Sequence, residues 1–168
     1  MKRFRLTCLK PIAVALLITA TAAQAGTILS PTSVYNNTIG SFSSDFSETQ
    51  MINQSGLSTG FTSGVTDFDA YIASNPTQVR SSFGGWLGPL LGPFTGVLDF
   101  DLEDRYNIEQ FALWNAPLGA TANVQSFTLF VSDVANFSSF IELGSFTNPM
   151  LELNGIDPYP VTVFDTLD

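Results

Sequence analysis

Thr95-Gly-Val-Leu-Asp-Phe-Asp-Leu-Glu-Asp-Arg-Tyr-Asn-Ile-Glu-Gln-Phe-Ala-Leu-Trp-Asn115 is the stretch whose reading decides the fold. Leu98, Phe100 and Leu102 alternate with Asp99 and Asp101, the period-2 pattern of a strand with one buried face. An acidic turn follows. Ile108–Trp114 is then apolar on both faces from Phe111 onward, as expected of a strand covered on two sides. The whole stretch reads as two strands joined by that turn. In this register Asp99 and Asp101 lie opposite the buried face, pointing outward or into the turn, and Asp101 accepts backbone N–H bonds in the turn.

Further along the chain, Val124–Ser132 sets Phe127, Leu129 and Val131 against Thr128 and Ser132, and Phe140–Phe146 and Val161–Phe164 read as two more strands. Upstream, residues 27–34 form a short extended entry broken by Pro31, and residues 35–47 are polar with turn signals at Asn36-Asn37 and Gly40. Asp67–Ile72 reads as a single helical turn stopped by Asn75-Pro76. Residues 81–94 hold four glycines and two prolines around Trp86, Leu87, Leu90 and Leu91, an apolar loop between strands. Short strands at about ten-residue spacing with turns between them predict an all-β, single-domain sandwich or jelly roll.

The N-terminus reads as a secretory signal. Lys2, Arg3, Arg5 and Lys10 form a basic start, residues 11–20 an apolar run too short to span a bilayer, and Ala23-Gln24-Ala25 a small-x-small cleavage site. Residues 1–25 are therefore set apart from the domain, taken as residues 26–168, which is long enough to bury a core. The leader carries four of the six basic residues and no acid. The remainder keeps Arg80 and Arg105 against 15 carboxylates, a formal charge of −13. Such a surface repels nucleic acid and anionic membranes and suits neutral ligands or divalent cations; it also simply favours solubility outside the cell. No second segment is apolar enough to span a membrane. Cys8 leaves with the leader and the chain has no histidine. Disulfides, thiolate nucleophiles, histidine-based triads and most zinc or copper sites are excluded.

The sequence resembles the galactose-binding-like, discoidin (coagulation factor V/VIII type C) jelly roll, in the version found in bacterial secreted proteins with a PEP-CTERM sorting tail. The resemblance is carried by Leu98-Asp-Phe-Asp-Leu102, Tyr106-Asn-Ile-Glu-Gln-Phe-Ala-Leu-Trp-Asn115, Phe127-Thr-Leu-Phe-Val-Ser-Asp133 and Leu143-Gly-Ser-Phe146, and covers roughly residues 28–165. It departs from the family in three places. Glu103 stands where the family has glycine. The Arg-Tyr-Val-Arg-Leu-like closing strand is not in the sequence, so the expected jelly roll lacks its last strand. The Pro-Glu-Pro motif, anchor helix and basic tail are also missing, which implies a truncated relative or a protein released rather than sorted.

The resemblance implies a structural calcium in the segment from Met51 to Asp69, with Asn53, Asp67 and Asp69 as ligands; hard oxygen donors in an irregular loop suit that ion. The bland alternative is that Asn53 caps a turn and the two aspartates are solvated. For ligand binding the candidates are Trp86, whose flat face suits the C–H face of a sugar ring, and Arg80, a donor to hydroxyls as in related sugar-binding modules. Against them stand a Trp86 folded inward as a plug and an Arg80 in a surface ion pair. Trp114 reads as core. Asp99 and Asp101, about 7 Å apart by strand rise, resemble a carboxylate pair only superficially. Three Asn-x-Ser/Thr sequons, at Asn36, Asn53 and Asn136, match by chance in so Asn- and Ser-rich a chain. The expected protein is a secreted, non-catalytic module that binds carbohydrate or exopolysaccharide at the cell surface or matrix. The alternatives are a structural matrix protein making protein–protein contacts and a carboxylate-based glycoside hydrolase. The expected contacts come from the loops 51–69 and 81–94 that flank the opening stretch.

Overall fold

The computed structural model describes residues 3–6, 26–79, 85–91, 95–115, 124–149 and 157–166. The fold is all-β. Its strands in chain order are β1 (Arg3–Leu6), β2 (Ser33–Asn37), β3 (Thr77–Gln78), β4 (Leu98–Asp101), β5 (Gln110–Trp114), β6 (Ser126–Ser132), β7 (Ile141–Thr147) and β8 (Tyr159–Asp165), with one short helix, α1 (Phe68–Ala73). Two sheets result, one ordered β2-β4-β1-β6-β7 and the other β3-β8-β5, with every pairing antiparallel.

The core lies between the sheets. Leu98, Phe100, Phe127 and Leu129 come from the first sheet and Phe164 from the second, and Phe111, Leu113 and Phe146 pack against them. Aromatic rings do most of the filling. Phe127 meets Phe164 edge-on with centroids 5.1 Å apart and Phe111 at 5.5 Å. Edge-to-face packing sets the positive ring edge against a neighbour's negative face, so a Phe-rich core is directional as well as apolar.

The helical turn begins where Asp67 accepts a 2.7 Å hydrogen bond from the Ala70 N–H, a side-chain N-cap. It stops at Asn75, whose φ of 54° takes the chain into the left-handed region before the buried Pro76.

Two expectations change. The two strands of the opening stretch are not neighbours: β4 pairs with β2 and β1, whereas β5 pairs with β8 in the other sheet. The acidic turn is a crossing between sheets. Asp99 does not point out into solvent. It is 1% exposed, and its Oδ2 accepts a 3.0 Å bond from Asn36 Nδ2. Arg3–Leu6 lie as a strand between β4 and β6 in the larger sheet. Elsewhere the strands fall close to where periodicity puts them, though residues 33–37 are a strand rather than the end of an entry and the start of a turn. Among the described residues no helix is long and apolar enough to cross a membrane.

Candidate functional site

A cleft opens at the sheet crossing. One wall is the β4–β5 connection, with Leu102, Asp104, Arg105, Tyr106 and Ile108; the other is the β6–β7 turn, with Asp133, Ser139 and Phe140 at its mouth. Its volume is about 310 Å³, at the small end of the roughly 300–1,000 Å³ usual for small-molecule sites.

Each wall is held by local chemistry. Asp101 Oδ1 accepts the Glu103 N–H at 2.8 Å, the turn bond its position implies, and the Asp104 N–H reaches back to the Leu102 carbonyl at 2.8 Å. Glu103 adopts a φ of 65° between these bonds. The turn reverses tightly enough to leave Arg105 and Tyr106 exposed. Arg105 donates its backbone N–H to Asp104 Oδ1 at 2.7 Å and its guanidinium Nη2 to Asp133 Oδ2 at 3.1 Å, tying the two walls together. On the far wall, Ser132 Oγ donates to the Ser139 carbonyl at 2.6 Å, and Phe137 is buried at the heart of the turn. Phe140 stands edge-on to the buried Phe130 at 5.2 Å while about half of it remains exposed.

The cleft thus offers two part-exposed aromatic rings, a guanidinium hydrogen-bonded to the Asp133 carboxylate, and two carboxylates as acceptors. Aromatic faces take apolar C–H surface, and the charged groups make strong, directional hydrogen bonds to hydroxyls.

The residues singled out in the sequence lie away from this cleft or outside the described residues. Trp86 is half-buried against the core, and its Nε1–H donates to the Gly40 carbonyl at 3.1 Å and to Ser41 Oγ at 3.2 Å. Its loop divides: Trp86 and Leu87 turn inward, and Leu90 and Leu91 stand in solvent. Arg80 lies outside the described residues. Asn53 makes an Asx-type turn, accepting the Ser55 N–H at 2.8 Å while its Nδ2 donates to Gln50 at 2.7 Å. Asp67 caps α1, and Asp69 is exposed in the first turn of that helix. Among the described residues, no group of three or more acidic, histidine or cysteine side chains is placed to hold a metal. Trp114, expected in the core, is half-buried and stands outside the core cluster, its Nε1–H donating to the Pro76 carbonyl at 3.2 Å and its ring edge-on to Tyr71.

Sequence reasoning misses the cleft because it treats the β4–β5 connection as scaffold. A usable signal is present: Arg105 is one of two cations beyond residue 25 and is followed directly by an aromatic residue. Compared with protein-family models, curated proteins and solved structures, the chain matches none.

Proposed function

We propose that this protein is a secreted, non-catalytic β-sandwich module, of jelly-roll type, that binds carbohydrate of the cell envelope or extracellular matrix in the cleft at the sheet crossing. The observation that carries the reading is the conjunction of the Arg105–Asp133 pair with the part-exposed rings of Tyr106 and Phe140 in one cleft. A sugar presents an apolar C–H face and a rim of hydroxyls, and this cleft presents the complement of both. The strongly acidic chain favours neutral glycans over anionic ones, which its field repels. The contacts are assigned to this cleft in preference to Trp86, whose indole N–H already has protein acceptors.

A glycan array probed with the secreted protein, followed by titration of the best ligand, tests the reading. Tyr106→Ala, Phe140→Ala and Arg105→Ala should each weaken binding by about tenfold, the equivalent of 1.4 kcal/mol. Absence of binding to any glycan, or binding indifferent to all three changes, defeats it. A matrix role resting on self-contact has its own support in the exposed Phe140 and Ile141 beside the edge strand β7. Light scattering distinguishes the two: a stable oligomer that Ile141→Asp dissolves favours the matrix role.

A further inference from the structure

The central position of the larger sheet is held by residues 3–6, a segment of the leader. β1 is antiparallel to both β4 and β6, so those two strands run parallel to each other and stand roughly 10 Å apart, twice the inter-strand spacing. Direct pairing of β4 with β6 requires one half of the sheet to slide by a whole strand. That slide breaks the packing of Phe127 and Leu129 on Leu98, Phe100 and Phe164. Removal of the leader therefore leaves two facing rows of backbone N–H and C=O groups inside the sheet, where each unmade hydrogen bond is costly.

The register describes what fits. Position 3 lies level with Asp101 and Ser132, position 4 with Phe100 and Val131, position 5 with Asp99 and Phe130, and position 6 with Leu129. Two carboxylates thus stand level with the alternate positions 3 and 5, both arginine in this sequence, and large apolar residues with positions 4 and 6. Opposite charges in register across strands are favourable. Residues 26–168 contain no other segment of this kind: Arg80 and Arg105 are their only cations, far apart, and Arg105 is paired with Asp133.

We propose that the gap between β4 and β6 is a strand-acceptor site, filled in the processed protein by an extended segment of a partner polypeptide that alternates basic with large apolar residues. The added strand runs antiparallel to both neighbours. It completes the ladder with main-chain hydrogen bonds and is selected by its alternate cations. The site does not depend on carbohydrate binding in the cleft.

Hydrogen exchange on the unprocessed full chain and on the secreted protein tests this, with the six-residue peptide Lys-Arg-Phe-Arg-Leu-Thr (residues 2–7) as probe and Lys-Glu-Phe-Glu-Leu-Thr as control. Mass spectrometry first establishes whether the secreted chain begins at Gly26. The expected result is that β4 and β6 amides exchange about tenfold faster or more in the secreted protein than in the unprocessed chain, that the arginine peptide restores their protection, and that the glutamate peptide does not. Asp99→Asn should weaken the arginine peptide's effect. Equal protection in both forms without peptide, no response to the arginine peptide, or equal response to both peptides overturns the proposal. So does a secreted protein that keeps residues 1–25, or protection restored by raising protein concentration alone.

Discussion

Glu103 shows how one residue can carry the strain of a turn. At φ 65° its Cβ crowds the following carbonyl, a cost of about 1–2 kcal/mol for an L-residue that glycine escapes. The turn needs this conformation because Asp101 Oδ1 holds the Glu103 N–H while the chain reverses toward the second sheet. Glu103→Gly should therefore raise stability by about 1 kcal/mol, less the entropy glycine adds to the unfolded chain. A urea-denaturation midpoint at or below that of the parent contradicts this. Arg105 is the opposite case. Its ion pair with Asp133 is well exposed on both sides, 72% and 53%, and such pairs contribute about 0–1 kcal/mol. Arg105→Ala should thus leave the unfolding midpoint nearly unchanged while weakening glycan binding, so that loss of binding cannot be ascribed to unfolding. Tyr159 makes a third case. Burial, aided by the nearby Asp157 carboxylate, pushes its phenol from 10.0 up to about 12. The unfolded chain ionises first, so the stability linked to this group is complete below pH 10 and falls as pH rises from 10 toward 12. Tyr71, also raised by burial, acts in the same direction. Tyr159→Phe should flatten the decline over that window; an unchanged alkaline slope in denaturation curves rejects the assignment.

At the scale of elements, β7 depends on a glycine and α1 on a cap. Gly144 has a φ of 149°, beside the register shift in the β6–β7 pairing, and a Cβ there lies 2.7 Å from Phe146 Cζ. That ring is packed 5.3 Å from Phe127 and 5.4 Å from Phe164, so it has little room to give way. Gly144→Ala should cost about 1–3 kcal/mol, the usual range for overpacking a filled core, and thermal unfolding measures it. In α1, Asp67→Ala removes the side-chain acceptor for the Ala70 N–H and should cost about 1 kcal/mol. Addition of calcium to the parent and to this variant separates the cap from the ligand role considered for Asp67. A calcium-dependent rise in melting temperature seen in the parent and lost in Asp67→Ala assigns a metal to this loop.

For the whole molecule, what matters is that the chain changes sheets between Asp101 and Gln110. A hairpin there leaves no cleft, because its two strands close on each other. A crossing spreads the turn over the sandwich end, and the β6–β7 turn faces it across the gap. The same topology places a gap-filling strand at the centre of the larger sheet, with Leu129 wholly buried alongside. Leu129→Ala should cost about 2–5 kcal/mol, since core truncation loses both transfer energy and packing. A cost below about 1 kcal/mol shows that the sheet is loosely packed at its middle.

Local pattern alone makes much of this molecule legible. Period-2 alternation locates β4, β6, β7 and β8 to within a few residues, because one-faced burial writes itself directly into the sequence. Asp67 ahead of a short apolar run and Asn75-Pro76 after it mark α1 for the same local reason. The lack of histidine and of cysteine beyond residue 8 limits the available chemistry on composition alone. Pairing is not legible. Alternation says that a strand has a buried face but not which strand lies beside it, so β4 and β5 pass for a hairpin and Asp99 for an outward-pointing side chain. Neighbour choice is set by non-local register and by the filling of one shared core, with Phe111 and Phe164 meeting Phe127 across the sheets. Only that tertiary arrangement brings Arg105 to Asp133, opens the cleft between Tyr106 and Phe140, and sets two carboxylates beside the central strand.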